Sequence, residues 1–134
     1  MKNIELVVPK LEEYYYEQKL EEDPNTMSYN KGYNVSYEGY HYDTGCIDFL
    51  KDEWKASYEK RIKENKFFAY IKDNEINEYV GYVNYQYNKN DDRYECGILI
   101  EYKYRYSYST LLWVLSFVDW LLEHIFSYSL HLIL

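Results

Sequence analysis

The chain has few of the residues that cross-link small proteins or hold metal ions. Only two cysteines, Cys46 and Cys96, and three histidines occur among 134 residues. Neither the cysteines nor the histidines have the spacing of a metal site, and the cysteines do not form a redox motif. We therefore expect a single domain over residues 1–134 that is stabilised by a hydrophobic core and contains no metal.

Basic residues are also scarce. The chain has 15 Lys and Arg against 23 Asp and Glu, which gives a net charge of −8. This sign disfavours nucleic-acid binding, because such affinity comes largely from neutralising phosphates. The opening residues, MKNIELVVPKLEE, lack a basic stretch followed by a long apolar run. We therefore expect no secretory signal and a cytoplasmic, reducing location.

Aromatic residues are abundant, with 20 Tyr, 5 Phe and 3 Trp, and they indicate a folded chain. The run IELVV predicts an extended start, and the residues between Pro9 and Pro24 predict a helix. The stretch from Asp23 to Cys46 has no sustained period and predicts a long loop, a kind of segment that is often functional. Asp48 is expected to cap the next helix, whose core-facing stripe consists of Leu50, Trp54, Tyr58 and Ile62.

The second half predicts a sheet followed by an apolar helix. Runs rich in Phe, Tyr, Val and Ile, separated by the turn clusters DNEIN and NKNDD, predict antiparallel strands at 66–72, 78–88 and 93–102. Residues 106–134 contain no Lys, Arg, Asn or Gly. Their segment STLLWVLSFVDWLLEHIF predicts a largely buried helix with a narrow polar stripe of Ser116, Asp119, Glu123 and Ser127. A membrane anchor is the alternative, although acidic residues interrupt the apolar stretch.

This order of elements resembles the first part of the GNAT superfamily of N-acetyltransferases. The segment EYVGYVNYQYNKNDDRYECGILIEYKYR is similar to the third and fourth strands of that family, and its signature residues are Ile98, Ile100, Tyr104 and Arg105. The resemblance covers residues 1–105 and implies an α+β fold, a mixed and mainly antiparallel sheet flanked by helices. The usual C-terminal strands are expected to be lacking, although the alternation in YSLHLIL predicts a short fifth strand.

The resemblance also implies transfer of an acetyl group from acetyl-CoA to a small-molecule or peptide amine. In the family, the fourth strand splays from the fifth, and its free backbone groups hold the pantetheine arm; here that strand contributes Ile98, Leu99 and Ile100. The pyrophosphate rests on a turn and a helix N-terminus, which here comprise Arg105, Tyr106, Ser107, Tyr108, Ser109 and Thr110. The family has glycines where Tyr106 and Tyr108 stand, so coenzyme binding is expected to be weakened or lost.

Two further sets of residues are candidates for the acceptor side of the reaction. Glu95 is the best-placed carboxylate to take a proton from the amine, and the alternative is a strand residue facing solvent. Tyr29, Tyr33 and Tyr40 are expected to line an acceptor pocket, and the alternative is that their rings pack a long loop. A second function remains open: a non-catalytic remnant that self-associates through exposed apolar residues, for example as a homodimer.

Overall fold

The computed structural model describes residues 3–124 and 128–133, and the chain forms two compact units. One unit comprises the residues up to Val8 together with those from Arg61 onward, and the other is Pro9–Lys60. The strands are β1 (Ile4–Val7), β2 (Phe67–Asp73), β3 (Glu78–Asn88), β4 (Arg93–Ile100) and β5 (Tyr128–Ile133). The helices are α1 (Tyr15–Glu21), α2 (Trp54–Lys63) and α3 (Tyr108–His124).

The sheet of the first unit has the strand order β1-β2-β3-β4-β5. β1 to β4 pair antiparallel, whereas β5 pairs parallel with β4. A parallel pair needs a crossover connection, and the 17 residues of α3 supply it. The three strands predicted between residues 66 and 102 are confirmed with boundaries shifted by at most two residues, and YSLHLIL does contain a fifth strand. The mixed, mainly antiparallel α+β sheet is confirmed as well.

The core of this unit lies between one face of the sheet and α3. Alternate residues of β2, β3 and β4 point to that face, including Ala69, Val83 and Ile98. α3 contributes residues four positions apart, which share one helix face: Trp113, Phe117 and Leu121. Because all of these side chains are buried, α3 is held to the sheet by apolar packing.

The unit Pro9–Lys60 has a small aromatic core of its own. Tyr14, Phe49 and Trp54 are buried together, and the rings of Tyr14 and Phe49 lie 6.1 Å apart. The long loop predicted between α1 and α2 is confirmed. Its Gly45 has a φ of +79°, and an added Cβ would lie 2.3 Å from the carbonyl oxygen of Met27, so no other residue fits there without displacing the backbone.

The predicted start of α2 is wrong. Leu50, not Asp48, precedes the first helical turn, and the Glu53 carboxylate accepts a hydrogen bond of 2.8 Å from the Leu50 N–H. Asp48 instead contacts the His41 ring at 2.7 Å. The predicted stripe is half right, since Trp54 is buried while Leu50 and Ile62 are exposed. An acidic side chain three residues into the helix satisfies the terminal N–H without a polar N-cap residue.

The prediction that α3 is largely buried is also wrong. Four of its leucines are between 46% and 62% exposed: Leu111, Leu112, Leu115 and Leu122. A helix on one face of a sheet buries only the stripe that faces the sheet, so apolar residues around the rest of the cylinder stay in solvent. Ser127 of the predicted polar stripe lies outside the described residues. Within the described residues, no helix is long and apolar enough to cross a membrane.

Candidate functional site

A buried arginine holds the turn that follows β4. The side chain of Arg105 is buried, and its Nε donates a hydrogen bond of 2.8 Å to the carbonyl oxygen of Ile100, the last residue of β4. Between them, the N–H of Tyr104 donates to the Glu101 carbonyl and the N–H of Arg105 donates to the Tyr102 carbonyl. These bonds close a short 3-10 turn, so α3 begins only eight residues after β4 ends.

The residue after Arg105 has an unusual backbone conformation. Tyr106 has a φ of +63°, which lies in the left-handed region that favours glycine. The other non-glycine residues with positive φ in the described part of the chain are all Asn or Asp, which tolerate that region: Asn3, Asn65, Asn77 and Asp92. Tyr106 therefore stands, under strain, in a backbone conformation that suits the glycine implied at this position by the GNAT resemblance.

The side chain of Tyr106 does not cover this turn. It is 91% exposed, so the ring extends into solvent and does not pack across the start of α3. Tyr108, the second tyrosine where the resemblance implies a glycine, is the first residue of α3. The approach of a ligand to the backbone around Tyr106 is therefore restricted by the Cβ of Tyr106 and by the conformations of its ring. It is not blocked by a packed side chain.

Ser107 caps α3. Its hydroxyl accepts a hydrogen bond of 3.3 Å from the Thr110 N–H and donates one of 3.0 Å to the Tyr104 carbonyl. The Thr110 hydroxyl is buried and also donates to the Tyr104 carbonyl. Of the three hydroxyl residues expected at the pyrophosphate site, Ser107 and Thr110 thus engage the protein backbone, and the third, Ser109, is exposed. Helix N-termini have free N–H groups and a partial positive charge, which favour an anion.

Two polar side-chain hydrogen bonds anchor α3 and the turn that precedes it to the sheet. The indole Nε1 of Trp113 donates a hydrogen bond of 3.0 Å to the buried carboxylate of Asp73. The Tyr104 hydroxyl donates to the Glu78 carboxylate. Burial, followed by that hydrogen bond, raises the pKa of Tyr104 above its ordinary value, so this tyrosine stays protonated and keeps donating.

β4 and β5 are paired where the resemblance implied that they splay. Their register runs without interruption from Tyr94 opposite Tyr128 to Leu99 opposite Ile133. Ile98 and Leu99 are therefore paired with the fifth strand, and Ile100 lies just beyond the last described pair. The expected splay is wrong for the described residues. All three residues are buried, and on its other side β4 pairs with β3 through Ile100.

Glu95 lies among amide side chains on the other face of the sheet from α3. Its Oε1 accepts a hydrogen bond of 2.8 Å from the Asn88 side-chain amide, and Glu95 itself is half-buried. Gly97 follows two residues later on the same face, opposite Asn84. A Cβ at Gly97 would lie 3.1 Å from the Asn84 Oδ1. The Asn84 amide can occupy this position because Gly97 has no side chain.

The amides of β3 were missed by the sequence reasoning. Asn84, Gln86 and Asn88 recur every second residue and so share one face of β3. Alternating amides beside a carboxylate form a polar strip that can bind hydrogen-bonding groups. The signal for this strip is the period of two among the amides of the sequence YVNYQYNKN.

The three tyrosines expected in an acceptor pocket lie in the unit Pro9–Lys60. The Tyr40 hydroxyl donates a hydrogen bond of 2.6 Å to the Asn30 carbonyl and accepts one of 3.1 Å from the Tyr33 N–H. Tyr40 therefore ties the loop together, which fits the packing alternative. The side chains of Tyr29 and Tyr33 are exposed. Their role in a pocket stays a prediction.

An antiparallel meander that continues through a crossover helix into a parallel fifth strand is the fold of the GNAT-type N-acetyltransferases. The spermidine N-acetyltransferase of Vibrio cholerae, in a complex with CoA and spermine, superposes with a TM-score of 0.70 at 16% identity, over 98% of this chain and 71% of that one. A Trypanosoma brucei acetyltransferase gives a TM-score of 0.54 at 10% identity, over 96% of this chain and 82% of that one.

The likeness to these enzymes is one of fold. No protein-family profile and no curated protein sequence matches the chain. The GNAT resemblance predicted from the strand sequences is thus confirmed in three dimensions.

Proposed function

We propose that this chain is an N-acetyltransferase that uses acetyl-CoA and acts on a small-molecule amine. The observation that carries the proposal is the turn after β4, where a left-handed residue leads directly into a capped helix N-terminus. That geometry suits a diphosphate, because it aims backbone N–H groups and the positive end of a helix dipole at one place.

The residues of this turn have separate roles in the proposed binding. Arg105 fixes the end of β4 relative to the start of α3 through its bond to Ile100. The phosphates are received by the exposed Ser109 hydroxyl and by the first-turn N–H groups of α3 other than that of Thr110, which donates to Ser107. Bound in this way, acetyl-CoA would supply the activated acetyl thioester.

Glu95 acts on the acceptor side. An amine must lose a proton before it attacks, and a carboxylate near it can accept that proton. The Asn88 amide occupies one oxygen of Glu95 and orients the group, which leaves the second oxygen for the amine. The net charge of −8 favours cationic acceptors through long-range attraction. The spermidine acetyltransferases that share the fold make polyamines the first acceptors to test.

Calorimetric titration of the full chain with acetyl-CoA tests the binding half of the proposal. We expect saturable binding that is tighter in Tyr106→Gly, because a glycine lets the backbone approach a phosphate. Tyr102→Gly is the control, since Tyr102 lies in the same turn and has no positive φ. If neither the natural chain nor Tyr106→Gly binds at millimolar acetyl-CoA, the proposal is refuted.

The catalytic half is tested by the release of free CoA thiol in the presence of polyamines. Glu95→Gln should abolish turnover at neutral pH while acetyl-CoA binding is kept, and the loss should diminish at higher pH as the amine deprotonates without help. Glu5→Gln, an exposed glutamate on β1, is the matched control and should leave turnover unchanged. Equal rates for Glu95→Gln and Glu5→Gln would remove Glu95 from the mechanism.

A further inference from the structure

One face of α3 carries an apolar stripe that the fold of a single chain leaves in solvent. Leu111, Leu115, Val118 and Leu122 are spaced by four, three and four residues, which places them along one side of the helix. The three leucines are between 51% and 62% exposed, and Val118 is half-buried. The stripe lies beside the residues that pack on the sheet, and its half-buried Val118 also packs against that core.

This spacing is typical of contact between two helices. Alternating steps of three and four residues form the narrow seam in which the side chains of one helix fit between those of another. A sheet would instead require the wider face that Trp113, Phe117 and Leu121 already provide. The occupant that suits this stripe is therefore a second amphipathic helix.

The stripe is complementary to itself when a second copy runs antiparallel. About a centre between Ser116 and Phe117, Leu111 falls opposite Leu122 of the second copy, and Leu115 falls opposite its Val118. A twofold axis pairs every member of the stripe with another apolar member, as an interface between identical copies requires. No residue of the stripe is left facing a polar one.

The charges beside the stripe favour the same arrangement. α3 contains no Lys or Arg, and its two acidic residues, Asp119 and Glu123, are exposed in its C-terminal half. In an antiparallel pair, Glu123 of one copy lies near the first turn of the other α3, whose partial positive charge attracts it. In a parallel pair, each acidic residue would lie beside the same residue of the other copy, and the two like charges would repel each other.

We propose that the chain forms a twofold dimer through antiparallel packing of the α3 stripe formed by Leu111, Leu115, Val118 and Leu122. The helix is about 25 Å long at about 1.5 Å per residue, so the seam by itself is smaller than a standard stable interface. The dimer is therefore weak and dissociates on dilution in the micromolar range. It does not depend on acetyl-CoA binding or on turnover.

Sedimentation velocity of the full chain over about a hundredfold range of concentration tests the dimer. The natural chain should shift from monomer to dimer, and Leu122→Glu should raise the dissociation constant by about tenfold or more. Ile62→Glu is the matched control, because Ile62 is 64% exposed near the end of α2, as Leu122 is 62% exposed near the end of α3. A strictly monomeric natural chain overturns the proposal, and so does equal weakening by the two variants.

The antiparallel direction has its own test. Leu111→Cys mixed with Leu122→Cys should give disulfide-linked heterodimers under mild oxidation, while each variant alone should give few. The natural Cys46 and Cys96 are buried and do not compete. Efficient cross-linking of each variant with itself would indicate parallel helices and refute the arrangement. Unchanged dimerisation with Leu122→Glu would place the contact elsewhere, for example along the β5 edge, and would also refute it.

Discussion

Replacing Tyr106 by glycine should stabilise the protein, although most substitutions at a tyrosine do the opposite. The left-handed conformation costs a residue with a Cβ about 1–2 kcal/mol. Tyr106 has a φ of +63° and is 91% exposed, so its ring contributes little packing to lose. Glycine gives the unfolded chain more conformational entropy, which cancels about 0.4–1 kcal/mol of the stabilisation gained by removing this strain. The net effect is an increase of about 1 kcal/mol in the free energy of unfolding.

Urea denaturation followed by far-UV circular dichroism measures this change. With a slope of about 2 kcal/mol per molar urea, the midpoint of Tyr106→Gly should lie about 0.5 M above that of the natural chain. Tyr106→Ala separates the two causes, because it removes the ring and keeps the Cβ. Tyr106→Asn should fall between alanine and glycine, since asparagine tolerates the left-handed region.

The order of these variants decides whether strain is the cause. If Tyr106→Ala is stabilised as much as Tyr106→Gly, removal of an exposed ring explains the gain, and backbone strain does not. If Tyr106→Gly is less stable than the natural chain, the ring makes contacts that its exposure does not suggest, and the reasoning is wrong. The slope of unfolding free energy against urea concentration must be the same for all variants, because a different slope means that the unfolded or native state has changed.

Further substitutions test other parts of the fold. Gly81→Ala should destabilise by about 3 kcal/mol or more, because its Cβ would lie 2.0 Å from the Leu99 carbonyl oxygen. Gly32→Ala, where an added Cβ meets nothing within 4 Å, should cost only the strain of its positive φ, about 1 kcal/mol. Ser107→Ala should lower the unfolding free energy by about 1 kcal/mol through loss of the α3 cap, and equal stability of Ser109→Ala and Ser107→Ala would contradict this. Burial raises the pKa of the Cys96 thiol to about 11, so the thiol loses its proton at a lower pH in the unfolded chain than in the folded one. Thermal melts should therefore show stability falling as the pH rises from about 9 to about 11. Cys96→Ala should remove that part of the pH dependence.

Features of the sheet could be predicted because they are set by neighbouring residues. The period of two in β2, β3 and β4 and the turn clusters between them are local signals, and the strands formed where those signals lie. The start of α2 was mispredicted for a related reason. Both Asp48 and Glu53 can satisfy a helix N-terminus, and only the folded loop, which brings His41 to Asp48, selects between them.

Features of the candidate site depended on the whole fold. The sequence shows a tyrosine at a glycine position, but only the structure shows that Tyr106 still adopts a left-handed conformation. The bond from Arg105 to Ile100 and the pairing of β4 with β5 determine where that residue lies. A propensity scale does not assign this conformation to tyrosine, because a Cβ disfavours it by about 1–2 kcal/mol. Tertiary contacts that fix the turn outweigh that preference.

α3 links the two proposals, because its sequence meets three structural requirements at once. Its first turn must end the connection from β4, one stripe must cover the sheet, and its end must deliver the chain into a strand parallel to β4. Trp113, Phe117 and Leu121 meet the second requirement with a single face. None of the three requirements explains the exposed leucines at positions 111, 115 and 122. Charged residues at these positions would allow the same fold and would make the protein more soluble. A feature that the single chain does not need is best explained by a contact with another chain, and the self-complementary spacing of these leucines identifies that chain as a second copy.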